Sequence, residues 1–307
     1  MPLVVENLYR KIQEGIQGSP VSRTLVPLLV QIGRFFDRLG LDVRPILFSK
    51  IHAVVGGRHR VMVVGAAALD PDLWQAMTDF GFRIRQGYGM TEASPVIATE
   101  RDLTFRKGTV GPLVPGMEGC IDDPDPVAGI GEIMVRGPNI MMGYFGDEEA
   151  TREALQDGWL RTGDLGRFDA DGFLSITGRK KNVIVLNNGK KVFPEELEAL
   201  LARSPLVLEC MVYGETVATT GSDGAVVGAG SEVRVKASVF PDMKAVQAAL
   251  GREAVPGDED VRKLLREEIR KVNGQVPGYK RIEELDLRDT EFEKTTTRKI
   301  KRHANMA

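Results

Sequence analysis

The chain has 307 residues, 42% hydrophobic and 27% charged, enough for two domains with a substantial core. Its 41 Lys and Arg against 43 Asp and Glu leave a formal net charge of −2, which excludes the overall positive field that draws nucleic acid. Two cysteines without CxxC spacing, Cys120 and Cys210, read as reduced thiols, and three scattered histidines, His52, His59 and His303, argue against a zinc site.

The start, MPLVVENLYRKI, has apolar residues at Val5, Leu8, Ile12 and Ile16, which is helical spacing. Leu25, Leu28, Leu29, Ile32, Phe36 and Leu39 continue that pattern after Pro20, as expected of helices covering a sheet. No apolar run reaches the ~20 residues that span a bilayer, and the start lacks a signal-peptide pattern. The expectation is a cytoplasmic protein. RVMVV (60–64) is predicted as a short buried strand ending in GAAALD. Pro71 opens a helix, PDLWQAMTDF, and Gly81 suits its end. FRIRQ is the next strand and runs into GYGMTE, so strand, helix and strand form a βαβ unit of a parallel sheet.

From Gly108 the pattern changes. GTVGPLVPGMEG, GEIMVRG and GFLSITG read as short strands bounded by glycine and proline, and DADG (169–172) as a hairpin turn. Beyond Arg179, FPEELEALLARSP reads as a helix with an apolar face at Leu197, Leu200 and Leu201. EVRVKASVF reads as a strand, and DEDVRKLLREEIRKVNG as a helix with acid at one end and Asn-Gly at the other. The expected fold class is α/β (1–107), then a β-rich subdomain (108–179), then an α+β C-terminal domain (180–307).

Four segments carry candidate chemistry. QGYGMTEASP (86–95) follows a parallel strand, where ligands bind at the carboxyl ends. Thr91 can donate to a phosphate and Glu92 can hold a hard cation, or the pair merely caps a helix. RTGD (161–164) offers a carboxylate from a tight turn, able to accept two ribose hydroxyls or simply to stand in water. GRKKNVIVLNNGKKVFPEELE (178–198) is a basic cluster, strand, turn, strand and helix, which alone is equally a solvated hairpin. EKTTTRKIKR (293–302) is a basic segment near the C-terminus, by itself as consistent with a frayed end.

In this order, GAAALD, YGMTE, GEIMVRGPNIMMGYF, DGWLRTGDLG, the 178–198 segment and KTTTRKIKR resemble the adenylate-forming superfamily of acyl-CoA synthetases, luciferases and adenylation domains. TTTRKI and VIVLNNGK look most like the long-chain fatty acyl-CoA synthetases. The resemblance implies a ligase that uses ATP and Mg²⁺ to turn a fatty acid into an acyl-adenylate, leaving pyrophosphate, and then transfers the acyl group to CoA with release of AMP. It places Gly65, Ala66 and Ala67 on one side of the adenine and Tyr88 on the other, with Gln86 and Gly87 in the wall. It gives Thr91 to the α-phosphate, Glu92 to magnesium, and Asp164 and Arg179 to the ribose. Lys181 becomes the hinge of a rotating C-terminal domain, Lys299 the lysine that serves adenylation, and Gly189 a neighbour of the pantetheine of CoA.

One family signature is missing. No Ser/Thr/Gly-rich loop followed by Pro-Lys occurs to cradle the β- and γ-phosphates, and no GxxxxGK[ST] loop replaces it. The family's chains are also much longer. The expectation is a C-terminal portion that lacks the N-terminal half of the large domain and is inactive alone. Its parent would use fatty acid, ATP and CoA, bind no nucleic acid and leave peripheral membrane contact open. Uncovered helix faces at Val5, Leu8, Ile12 and Leu28 would make the fragment self-associate. Two other readings stay open: a nucleotide- or CoA-binding or inert fragment without turnover, and an enzyme that activates aryl or amino acids.

Overall fold

The computed structural model describes residues 2–65, 69–101, 106–220, 226–251, 257–295 and 299–305. They form two compact units, Met1–Ile176 and Thr177–Ala307.

The first unit opens with helices α1 (Pro2–Gln17), α2 (Pro20–Arg38), α3 (Arg44–Leu47) and α4 (Ser49–Val54). Strand β1 (Met62–Val64), helix α5 (Pro71–Asp79) and strands β2 (Ile84–Gly89) and β3 (Val96–Thr99) follow. Asp70 caps α5: its Oδ1 accepts from the N–H groups of Asp72 at 2.8 Å and Leu73 at 2.9 Å, with Pro71 at the first helical position. β1 and β2 pair in parallel, Met62 with Ile84 and Val64 with Gln86, and β3 lies antiparallel on β2, Tyr88 opposite Ala98. The expected βαβ unit is therefore present, and FRIRQ begins two residues late and runs on through Gly89.

Two expectations fail here. β1 is not a buried strand: Val64 is buried, but Val63 is 62% exposed. Nor does α1 present an uncovered seam, because Val5 and Ile12 are buried with Phe48, Trp74, Met77 and Ile84 in one core, and Leu8 packs against it. Of the four residues expected at the seam, only Leu28 is exposed, because the face of α2 that carries it turns away from that core.

The same unit holds a second sheet built from β4 (Glu118–Asp122), β5 (Gly131–Arg136), β6 (Leu155–Gln156), β7 (Trp159–Phe168) and the first residues of β8 (Leu174–Arg179), with α6 (Glu148–Ala154) before β6. The order is β4-β5-β7-β6, and β8 pairs with β7. Asp169 turns β7 into β8 as DADG predicts, its Oδ1 accepting from the N–H groups of Asp171 and Phe173. GTVGPLVPGMEG is mostly not a strand: only Pro112 and Leu113 make isolated bridges before β4 begins at Glu118. Pro112 and Pro115 lack the N–H that a ladder needs.

The second unit contains β9 (Ile184–Val185), β10 (Lys191–Val192), α7 (Pro194–Leu201), β11 (Val207–Thr220), β12 (Val226–Pro241), α8 (Met243–Leu250), α9 (Asp258–Asn273) and β13 (Glu284–Leu287). β11 and β12 are a long antiparallel pair, and β13 runs parallel to β12. Leu197 and Leu201 of α7, Val261, Leu265 and Ile269 of α9, and Val212, Val235 and Val239 of the sheet form the core. The residue spacing of α9 buries one stripe and leaves its charges in water. Among the described residues, no helix is long and apolar enough to cross a membrane.

Leu265 is 1% exposed at the centre of this second core. Leu265→Ala is expected to cost about 2–5 kcal/mol, read in urea unfolding as an earlier transition of residues 177–307 with the transition of 1–176 unmoved.

Candidate functional site

The carboxyl ends of β1 and β2 meet at two glycines. A Cβ on Gly65 would lie 3.3 Å from the Gly87 carbonyl oxygen, so the two strand ends close on each other. Ala66 and Ala67 lie outside the described residues. Gln86 is buried, and its side chain is spent on the wall: Oε1 accepts from Leu69 N at 3.2 Å and Nε2 donates to Thr109 O at 3.3 Å. Its own N–H donates to Glu100 Oε2 at 2.8 Å. Burial pushes the Glu100 carboxyl above the ordinary carboxylate range against the pull of that hydrogen bond.

Tyr88, next along β2, donates from its hydroxyl to Asp164 Oδ2 at 2.6 Å. Asp164 is 7% exposed, which rules out a solvated aspartate. Nor is RTGD a tight turn. It lies inside β7, where the register slips: Glu132 faces Leu165 but Met134 faces Arg161, so residues 162–164 stand opposite the single residue Ile133. This is a bulge, and bulges re-aim side chains. Gly163 adopts φ +68°, open to glycine at little cost. Thr162 Oγ1 donates to Ile133 O at 2.8 Å and accepts from Asp164 N at 3.1 Å. Gly163 N donates to the buried Glu132, whose other oxygen pairs with Arg161 at 2.5 Å. The sequence held one signal for this: an isolated glycine inside a strand, here Gly163, suggests a bulge.

After β2, Thr91–Ala93 form one turn of 3₁₀ helix whose cap position is Met90, without a side-chain cap, so Thr91 and Glu92 are not capping a helix. Thr91 is exposed. Glu92 Oε1 accepts from the Tyr144 hydroxyl at 2.9 Å, which holds that phenol's pKa above its usual value. Tyr144 lines an open cavity of about 430 Å³ with Met142, Gly143, Glu148, Thr151 and Arg152. Sequence reasoning missed Tyr144, since MMGYF carries no charge to mark it. Among the described residues no three His, Cys, Asp or Glu side chains cluster as a metal site. Glu92 offers one carboxylate, which suits a magnesium ion that takes its other ligands from phosphates and water. Another cavity, about 310 Å³ and lined by His52, His59, Arg60 and Arg83 among others, lies at the opposite, amino ends of β1 and β2. Parallel sheets bind ligands at the carboxyl ends, so the candidate site lies at the Tyr88 end of β2.

In the second unit, Arg179 ends β8 and Lys181 sits in a single 3₁₀ turn, both exposed. Gly189 turns β9 into β10, its N–H donating to Leu186 O at 2.8 Å. Lys299 is exposed on a closed loop. Thr295 N donates to Lys299 O at 2.8 Å, Lys299 N to Thr295 Oγ1 at 3.1 Å, and Lys301 N to Glu293 O at 2.8 Å. The described residues of the C-terminal basic segment, 293–295 and 299–302, are thus not frayed, and 296–298 lie outside the described residues. Arg302 and Lys294, which anchor it to Glu198 and Glu209, were not foreseen. The structure therefore joins Gly65, Gln86, Gly87, Tyr88 and Asp164 in the first unit and carries Arg179, Lys181, Gly189 and Lys299 in the second.

These two units have the architecture of an adenylate-forming fold. The family model for the AMP-binding enzyme matches residues 21–145, and that for the AMP-binding enzyme C-terminal domain matches residues 181–307. The chain belongs to the AMP-binding, adenylate-forming enzyme family. It is 42% identical over 180 residues to a long-chain-fatty-acid–CoA ligase of Mycobacterium bovis, covering 59% of this chain and 28% of that one. It is 37% identical over 238 residues to the peroxisomal long chain acyl-CoA synthetase 7 of Arabidopsis thaliana, with coverage of 69% and 33%. It is 30% identical over 305 residues to long-chain-fatty-acid–CoA ligase 5 of Rattus norvegicus, with coverage of 93% and 42%. Among solved structures, the anthranilate CoA ligase AuaEII with anthranoyl-AMP aligns at a TM-score of 0.61 and 28% identity, over 80% of this chain and 43% of that one. An ATP-bound RpMatB-BxBclM chimera aligns at 0.64 and 26%, over 85% and 49%. The chain thus spans less than half the length of these relatives.

Glu100 gives a pH test of the site wall. Its folded-state pKa is raised above 4.5, so the folded state holds the proton more tightly than the unfolded one, and stability falls as pH rises from 4.5 through the folded value. Glu100→Gln is expected to raise the melting temperature at pH 7 and to gain little or nothing at pH 4, measured by calorimetry at both.

Proposed function

We propose that this chain is the adenylate-handling part of an ATP-dependent long-chain fatty acid–CoA ligase. The observation that carries this reading is a dry carboxylate, Asp164, turned by a bulge to the Tyr88 hydroxyl at the carboxyl end of a parallel strand pair. A carboxylate can accept two ribose hydroxyls, and a tyrosine beside it suits the face of an adenine. Gly65 and Gly87 leave backbone, not side chains, at the other wall. Arg179 would reach the ribose, Thr91 the α-phosphate, and Gly189 the pantetheine of CoA.

Attack of a carboxylate on the α-phosphate brings two anions together, so positive charge at that point lowers the barrier. Lys299 would supply it in adenylation. Glu92 would hold a magnesium ion, which neutralises phosphate charge when bound. The second half-reaction needs the lysine gone and a thiol admitted, and a rotation of residues 180–307 about Lys181 would do both. In this reading residues 1–107 and 108–179 belong to the large domain. The long acyl chain is supported by the relatives at 30–42% identity. An aryl acid is the second reading, favoured by the anthranilate ligase among the structural neighbours. With no Ser/Thr/Gly-rich phosphate loop in 1–307, these residues by themselves are expected to bind nucleotide without turnover.

ATP binding to residues 1–307, followed by calorimetry with Mg²⁺ present, tests the site. Asp164→Ala is expected to weaken it by about 1–3 kcal/mol for lost charge-assisted bonds, a 5- to 150-fold rise in Kd; unchanged affinity would remove the ribose role. Fatty-acid- and CoA-dependent AMP release is expected to be undetectable from this chain. Release at about 1–10³ s⁻¹, a usual enzyme rate, would show that it carries a phosphate cradle of its own, and release with benzoate or anthranilate but not palmitate would favour the aryl reading.

A further inference from the structure

The loop that carries Lys299 is tied to the second unit at two points, one on each side of the lysine. On the far side, Arg302 Nη2 meets Glu198 Oε1 at 2.5 Å and Nη1 donates to Val212 O at 2.7 Å. The same Glu198 oxygen accepts from Val212 N at 2.7 Å. One guanidinium and one carboxylate thus satisfy both backbone polar groups of a residue in β11, and the two side chains are only 15% and 20% exposed. On the near side, Lys294 pairs with Glu209, whose Oε2 accepts from Phe292 N at 3.1 Å.

The Arg302 anchor has a second neighbour. Glu195 Oε1 lies 3.8 Å from Nη2 and accepts from Asn182 Nδ2 at 2.6 Å. Its other oxygen is buried without a hydrogen-bond partner, against Gly178, where a Cβ would come within 2.5 Å. One guanidinium therefore stands between the loop that ends at Arg302 and the 178–182 segment.

We propose that Arg302 is a positioning residue: by clamping the 293–302 loop to α7 and β11, it fixes where the Lys299 amine can reach. The proposal rests on the reading of Lys299 as the adenylation lysine. The physical reason is entropic and geometric. Lys299 is exposed on a long flexible stem, so its reach is set by its backbone, and that backbone is held to the rest of the unit through the anchors that flank it. A planar guanidinium can bond a carboxylate and a carbonyl together; a lysine at the same position keeps the charge but not the fork.

Two readouts on residues 1–307 test this. The first is amide hydrogen exchange of 293–295 and 299–302, with residues 235–239 of β12 as reference. The second is acetylation of Lys299 with and without ATP and Mg²⁺. Arg302→Gln is expected to speed exchange in the loop at least tenfold, leave β12 unchanged, and cut ATP protection of Lys299 at least fivefold, with Arg302→Lys restoring less than half of that protection. Unchanged loop exchange and unchanged protection in Arg302→Gln would overturn the proposal. So would loss of β12 protection in both variants, since Arg302 would then be holding the fold. Faster loop exchange in Arg302→Gln, in a protein whose wild-type Lys299 gains no protection from ATP, would keep the anchor and overturn the reading of Lys299 instead.

Discussion

Asp164 is a carboxylate taken out of water, and the first unit is arranged around keeping it so. An ionised carboxylate moved into a protein interior loses hydration worth several kcal/mol after relaxation. It stays only where polar partners stand ready. The Tyr88 hydroxyl at 2.6 Å is one of them. The bulge in β7 is the backbone device that turns the side chain to that partner, and it has supports of its own. Thr162 bonds Ile133 O, Gly163 bonds Glu132, and Arg161 pairs with Glu132 and Asp122.

A second buried acid, Glu100, does a different job. It receives the Gln86 N–H, while Gln86 O accepts from Glu100 N at 2.9 Å. The exchange ties β2 to the end of β3 at the point where the strand gives way to the ligand loop. Gln86 then reaches Leu69 and Thr109 with its amide. A residue that the family resemblance assigns to the pocket wall is therefore held by three other segments of chain, and its amide is committed to structure.

The segments with glycine, proline or charge at fixed offsets were legible. Asp70–Pro71 and Gly81 bracket α5, Asp169 to Gly172 turn the β7–β8 hairpin, and Pro194 with Glu195 and Glu196 opens α7. The strand β11 was not legible. Its run from Val207 to Thr220 is broken by Glu209, Gly214 and Glu215, so no period of two stands out, and it exists as a strand because β12 pairs along it. The N-terminal helices were legible as helices, but which apolar residues they bury was not: Val5 lies in the core and Leu28 in water. Both sit on apolar faces in sequence, and only the packing against α5 and β2 separates them.

By itself the sequence determined the candidate chemistry: a tyrosine and two glycines after a parallel strand, an aspartate in RTGD, and a lysine in a basic C-terminal segment. Those are properties of residue type and order, and the chain carries them whatever its shape. The tertiary structure decided what they do to one another. RTGD became a bulged strand because a neighbouring strand offers one residue to its three. Tyr88 and Asp164, 76 residues apart in sequence, became hydrogen-bond partners. Lys299 came to stand on an anchored loop because Arg302 found a half-buried carboxylate 104 residues away. Hydrogen bonds of that kind depend on distances of a few tenths of an ångström between groups far apart along the chain, and no local pattern of residues encodes them.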